Sequence, residues 1–121
     1  MKIIVDSLTG MGLKFAKSLN YPIIDINNYD VKDLDDDLFL VTRCFNFGEI
    51  PKSTIDFLEL YHTKVIGVAC GGNRNWGTNY GIAGDKIQEI YNIPHVTKFE
   101  AAGFPNEREK VKLFLANYER K

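Results

Sequence analysis

Residues 64–91 read KVIGVACGGNRNWGTNYGIAGDKIQEIY, and their pattern decides the fold. Lys64 to Ala69 is a short apolar run rich in β-branched residues, the mark of a strand buried on both faces. Cys70 to Asn79 is a polar loop with paired glycines and several asparagines. Ala83, Ile87, Ile90 and Tyr91 then recur at i, i+4, i+7 and i+8, which is one stripe of an amphipathic helix. A buried strand, a long loop and a helix in that order make up most of a parallel strand-helix-strand unit.

The same alternation runs outward in both directions. Lys2 to Val5 is a first strand ending at Asp6, and Ser7 to Gly12 breaks it. Phe15 and Leu19 mark a helix of about two turns. Ile23, Ile24 and Ile26 form a second strand, and Leu38 to Thr42 a third. After a loop over Arg43 to Ile50, Pro51 suits the first turn of a helix, where its missing N–H has no intrahelical partner anyway. Ile55, Leu58 and Tyr61 are placed on the buried side of that helix. His95 to Phe99 is a fifth strand, and Val111, Phe114, Leu115 and Tyr118 mark a closing helix. The expected fold is a single α/β domain over residues 1–121, a doubly wound sandwich with a five-stranded parallel sheet in the order 2-1-3-4-5.

Composition narrows the function classes. The net charge is −1 and no basic stripe stands out, which argues against nucleic acid as a partner. The acidic run Asp33 to Asp37 reads as a solvated turn or as a docking surface for a basic partner, with room for a short helix. Met1 to Asp6 is too short for a signal peptide, and no apolar run nears the ~20 residues that span a membrane. The two cysteines do not form a Cys-x-x-Cys pair, and the expected location is the cytoplasm. His62 and His95 read as a helix end and a strand start, not as a metal site. No Ser/His/Asp or Cys/His nucleophile set can be assembled.

In an open parallel sheet, ligands sit beyond the carboxyl ends of the strands where the strand order reverses. For the order 2-1-3-4-5 that point lies between strands one and three. The loops after strands one, three and four are therefore the candidates. The first, Ser7-Leu8-Thr9-Gly10-Met11-Gly12, offers hydroxyls and glycines at a strand-to-helix turn. It reads equally as a cradle for one terminal phosphate and as a cap with a tight turn. It lacks the lysine of a triphosphate-binding loop and is not Gly-x-Gly-x-x-Gly. The second, Thr42-Arg43-Cys44-Phe45-Asn46-Phe47-Gly48, carries two aromatics that would either wall a flat ring or pack on a neighbouring loop. The third, Gly71-Gly72-Asn73-Arg74-Asn75-Trp76-Gly77, holds the only tryptophan on a polar, glycine-rich loop, placed for stacking on an aromatic ligand rather than for core packing.

Together these residues resemble the NrdI family, flavodoxin-like FMN proteins that serve class Ib ribonucleotide reductase. The matching pieces are Asp6-Ser7-x-Thr9-Gly10, Asn46-Phe47-Gly48-x-x-Pro51, Gly72-Asn73-Arg74-Asn75-Trp76-Gly77, Ala83-Gly84-Asp85 and Lys98-Phe99-Glu100-x-x-Gly103. The resemblance implies FMN as cofactor and a reduced flavin that converts O2 to superoxide or a related oxidant. It implies delivery of that oxidant to the dimanganese site of the reductase's small subunit, where it helps to generate a tyrosyl radical. Ser7, Thr9 and Gly10 would hold the phosphate, with Leu8, Met11 and Gly12 completing the turn. Thr42, Phe45, Asn46, Phe47 and Gly48 would frame the flavin with Gly71, Gly72, Asn73, Trp76 and Gly77. Gly71, Arg43 to Phe45 and Phe104 depart from the family's usual residues.

Further expectations follow for individual residues. Gly71 and Gly72 would let a peptide turn its carbonyl toward flavin N5 and so tune the cofactor, without the Cβ penalty of ~1–2 kcal/mol that left-handed backbone imposes on other residues. Arg74 reads either as a charge that favours an anionic reduced flavin or as a contact for a partner protein, the second preferred because water screens a surface-loop charge. Lys98-Phe99-Glu100 looks catalytic but reads better as an ion-paired strand end. Cys44 and Cys70 fall at the ends of adjacent strands and so are expected to lie close; they read as reduced cytosolic thiols, with a regulatory disulfide as the lesser alternative. No nicotinamide domain fits in this length, so a separate flavin-reducing protein is implied. The competing readings are a plain electron-carrier flavodoxin and a flavin-free adaptor. A phospho-receiver domain is disfavoured because strand three ends in Thr42-Arg43 with no aspartate to phosphorylate.

Overall fold

The structure, a computed structural model, describes residues 1–46 and 48–120. Five strands form one parallel sheet: β1 (Lys2–Val5), β2 (Ile23–Asp25), β3 (Leu38–Arg43), β4 (Val65–Gly72) and β5 (His95–Glu100). Their order is β2-β1-β3-β4-β5, as the alternation of elements predicts. Four helices cover the sheet: α1 (Met11–Lys17), α2 (Lys52–Tyr61), α3 (Ile82–Tyr91) and α4 (Pro105–Glu119).

Side chains alternate across each strand, so one strand feeds two cores. Ile4, Leu38, Leu40 and Val68 point to the face covered by α2 and α3, where they meet Phe57, Leu58 and Ile87. Ile3, Val5, Phe39, Val41 and Ala69 point to the other face, where α1 and α4 supply Phe15, Ala16, Val111 and Leu115. Burying each large aliphatic or aromatic side chain stabilises the fold by roughly 1.5–3 kcal/mol. Because both faces are covered, the central strands are apolar throughout, which is why they read as continuous runs.

Three local readings change. Cys70, Gly71 and Gly72 continue β4 instead of opening a loop. Cys70 and Gly71 are paired on both sides, Gly71 opposite Arg43 of β3 and Phe99 of β5, and Gly72 pairs with Glu100 of β5; that pairing outweighs glycine's poor strand propensity. Ile55 and Ile90 are exposed (36% and 64%) rather than buried. The buried rows are instead Thr54, Phe57 and Leu58 on α2, and Ala83, Gly84 and Ile87 on α3. The acidic stretch forms a 3-10 turn over Val31–Leu34 that buries Leu34. Its flanking carboxylates hold groups of this chain: Asp35 takes Lys2 Nζ at 2.9 Å, Asp36 the amino group of Met1, and Asp37 the Tyr118 hydroxyl at 2.8 Å.

Candidate functional site

The first strand-to-helix turn is built around Ser7. Its Oγ accepts the Gly10 N–H at 3.1 Å, and Gly10 takes φ 89° to turn the chain into α1. Glycine adopts that backbone without the Cβ clash of other residues. The turn leaves the N–H groups of Leu8, Thr9 and Met11 without an acceptor among the described residues. Leu8 and Thr9 are exposed, and Met11 is partly so, beside the start of α1.

Beyond the carboxyl ends of β1, β3 and β4 lies a cleft of about 240 Å³. Ser7, Leu8, Thr9, Met11 and Gly12 line it from the first loop, Thr42 from the second, and Gly71, Gly72 and Trp76 from the third. Sequence reasoning missed five further lining residues as direct contacts: Asp6, Arg43, Cys44, Phe99 and Ala101. Asp6 carried a signal, a carboxylate closing an apolar run at a strand's carboxyl end. The others come together only through the sheet register.

Asp6 is 1% exposed, and a buried carboxylate needs partners. Its Oδ2 accepts the Ser53 and Thr54 hydroxyls at 2.5 and 2.6 Å, and the Thr54 and Thr42 hydroxyls lie 2.7 Å apart. Oδ1 stands 3.6 Å from Arg43 Nε, close enough for charge compensation but outside hydrogen-bond geometry. Both atoms are buried without a hydrogen-bond partner among the described residues.

Among the described residues, the remaining expected site residues lie outside this cleft. Gly10 borders a neighbouring hollow with Leu13, Ile23 and Asp25. Phe45 is half-exposed and faces a separate groove with Glu49, Lys52 and Ile55, so it does not wall the main cleft. Asn46 donates to Glu49 at 3.3 Å, and the Gly48 carbonyl accepts from Lys86 Nζ at 2.9 Å. Phe47 is outside the described residues. Asn73 caps the third loop, its Oδ1 accepting the Asn75 N–H at 2.8 Å, and Gly77 kinks that loop at φ 59°.

Gly71 and Gly72 serve close approach. A Cβ on Gly71 would stand 3.0 Å from Phe99, and one on Gly72 would stand 2.9 Å from the Gly81 nitrogen. The Gly71 carbonyl accepts the Cys44 N–H at 3.2 Å.

Trp76 stands at the cleft rim, 36% exposed, and is in no aromatic pair among the described residues. Its loop is pinned from behind. The Arg74 N–H donates to Glu100 Oε2 at 2.9 Å, and its guanidinium donates to Glu107 Oε2 at 3.0 Å while lying 4.8 Å from the Phe104 ring. Arg74 is thus engaged within the chain while half of its side chain stays exposed. Glu107, 4% exposed, also accepts the Phe104 N–H at 2.7 Å. Phe104 carries no hydroxyl to complete a capping box, so only the Glu107 half of that arrangement is present. Lys98 is ion-paired at the strand end, to Asp85 at 3.1 Å, and His95 Nδ1 lies 2.8 Å from the same carboxylate. Burial of Asp85 works against its charge, but the His95 and Lys98 hydrogen bonds prevail and hold it below the usual aspartate value. Among the described residues, no group of three or more His, Cys, Asp or Glu is placed to hold a metal. No helix there is long and apolar enough to cross a membrane.

A parallel sheet of this order with its cleft at the switch point defines a flavodoxin-like α/β protein. Solved structures agree on the fold. A short-chain flavodoxin associated with a non-canonical PDU bacterial microcompartment superposes with TM-score 0.73 at 19% identity, over 95% of this chain and 93% of that one. Oxidised flavodoxin 2 from Bacillus cereus gives 0.71 at 19% identity, over 99% and 98%. The family profile described as NrdI flavodoxin like matches residues 3–113. The SPbeta prophage-derived protein NrdI of Bacillus subtilis (strain 168) is 33% identical over 109 residues, covering 88% of this chain and 84% of that protein. The phage protein nrdI of Bacillus phage SPbeta matches equally. This chain belongs to the NrdI flavodoxin-like family.

Proposed function

We propose that the cleft binds FMN and that the protein supports class Ib ribonucleotide reductase in the cytoplasm. The observation that carries this reading is the convergence of a donor-rich turn, a polar floor and an unpaired indole on one switch-point cleft, in a chain of this family. The residues fit the cofactor. The free N–H groups of Leu8, Thr9 and Met11 and the hydroxyls of Ser7 and Thr9 suit a terminal phosphate. Arg43 offsets the negative charge of Asp6 near that phosphate. Trp76 offers a face to the ring, and Gly71 and Gly72 keep the cleft wall thin.

Bound and reduced, FMN would supply electrons to O2, yielding superoxide for assembly of the dimanganese-tyrosyl radical cofactor in the reductase's small subunit. The chain's own part is to hold the phosphate, stack the ring and set access to it. A separate protein reduces the flavin.

The test is a visible absorption spectrum of the purified protein, then stepwise anaerobic reduction and exposure to air. A yellow protein that releases superoxide on reoxidation supports the reading. Flavin without superoxide identifies a plain electron carrier. A colourless protein that refuses added FMN overturns both.

A further inference from the structure

Two thiols lie beside the cleft, and nothing in the proposed function uses their chemistry. Cys44 follows β3, and its N–H donates to the Gly71 carbonyl at 3.2 Å, which fixes it beside the end of β4. Cys70 sits inside β4, opposite Thr42. Their Sγ atoms are 3.8 Å apart and both thiols are free. A disulfide needs about 2.05 Å, so less than about 2 Å of approach closes the pair.

The two thiols are unequal. Both cysteines are buried, Cys70 at 0% exposure and Cys44 at 8%, but Cys44 is a lining residue of the cleft and Cys70 is not. The Cys70 thiol, followed by backbone N–H groups of Ala83, Gly81 and Ile82 around the start of α3, lowers the Cys44 thiol to about 6 against the opposing effect of burial. Cys70 is pushed up by hydrogen bonding to Cys44 and by its own burial. A low-pKa thiol at the cleft wall, 3.8 Å from a fully buried high-pKa one, is the arrangement of an attacking and a resolving cysteine.

We propose that Cys44 and Cys70 form a hydroperoxide-sensitive dithiol that closes reversibly to an intramolecular disulfide beside the cleft. In the first step the Cys44 thiolate attacks the terminal oxygen of a hydroperoxide. The S–O bond forms, the O–O bond breaks, and the leaving oxygen takes a proton to depart as water or an alcohol. Cys44 is oxidised by two electrons to its sulfenic acid. In the second step Cys70 sulfur attacks that sulfenic sulfur. The S–S bond forms, the S–O bond breaks, and hydroxide leaves as water with the Cys70 proton. The sum is two thiols and one hydroperoxide giving one disulfide, one water and one water or alcohol. An external dithiol reverses it by exchange. The reaction goes beyond the proposed function and does not need it. Superoxide, if the cleft produces it, dismutates with protons to hydrogen peroxide and O2, which would place an oxidant near Cys44.

The experiment treats the reduced protein, flavin-free and FMN-loaded, with stepwise hydrogen peroxide. Samples are acid-quenched, denatured, alkylated and weighed intact, then digested. Both alkylation sites should vanish together, with the mass lowered by two hydrogens, a Cys44–Cys70 cross-linked peptide present, and full recovery in dithiothreitol. Cys70→Ser should stop at a Cys44 sulfenic acid trapped by dimedone. Cys44→Ser should leave Cys70 oxidised roughly tenfold or more slowly. Full labelling of both cysteines after peroxide overturns the proposal. So does a disulfide-linked dimer in place of the internal bridge, or equal oxidation of Cys70 in the Cys44→Ser variant.

Discussion

Gly103 takes φ +86°, and a Cβ there would stand 2.3 Å from Phe15, whose ring stacks on Phe99 at 4.1 Å. Gly103→Ala therefore combines left-handed strain with overpacking, about 2–4 kcal/mol together. A urea melt should show that loss in its midpoint, and an unshifted midpoint would mean the ring pair yields freely. The position was legible as a residue after the fifth strand; its reason was not, because Phe15 is remote in sequence. At Trp76, replacement by alanine should weaken FMN binding about 2- to 12-fold, the equivalent of about 0.5–1.5 kcal/mol of stacking. A titration followed by quenching of FMN emission reads this, and an unchanged Kd would remove the indole from the site. Trp76 could be picked out because glycine and asparagine neighbours rarely surround a core indole. Arg43 and Cys44 could not, since only the sheet register aims them at the cleft.

α4 begins with Pro105, and Glu107 closes its first turn by accepting the Phe104 N–H. The same carboxylate anchors Arg74 of the third loop. Glu107→Ala should lower stability by about 1–3 kcal/mol, read by thermal unfolding, through the lost cap and the unpaired donors. No loss would mean that water replaces the cap without penalty. Between α3 and β5, Asp85 bonds His95 and Lys98. Its value is lowered in the fold, so its contribution is present above the ordinary aspartate range and is lost as pH falls through the folded value. Asp85 is half-exposed, which limits the contribution to about 1 kcal/mol or less. The stability gap between the protein and Asp85→Asn should close as pH drops below about 4; a gap constant with pH would rule out the charge as its source. Helices and strands were legible from periodicity. The phases of α2 and α3 slipped at Ile55 and Ile90, where one apolar residue off the buried row misled the stripe. The end of β4 was hidden because glycines that read as a turn here admit Phe99 and Gly81 at close range.

For the whole molecule, strand order and cleft position followed from one topological rule, so the site's location was legible before its contents were. FMN that binds only the folded chain should raise stability by about 2.7 kcal/mol at a hundredfold excess over its Kd. For a domain of this size that corresponds to a melting shift near 10 °C. Melts with and without FMN measure it, and coincident curves would mean no ligand is held. The cleft's rim also carries the chain's single indole, while its six tyrosines and eight phenylalanines do not absorb at the red edge of the indole band. Light of that colour therefore excites one chromophore per molecule, at the mouth of the cleft. A flavin arriving there accepts the excitation, so the protein carries its own optical gauge of occupancy, needing no label and distinct from the tyrosine signal that reports on the rest of the fold.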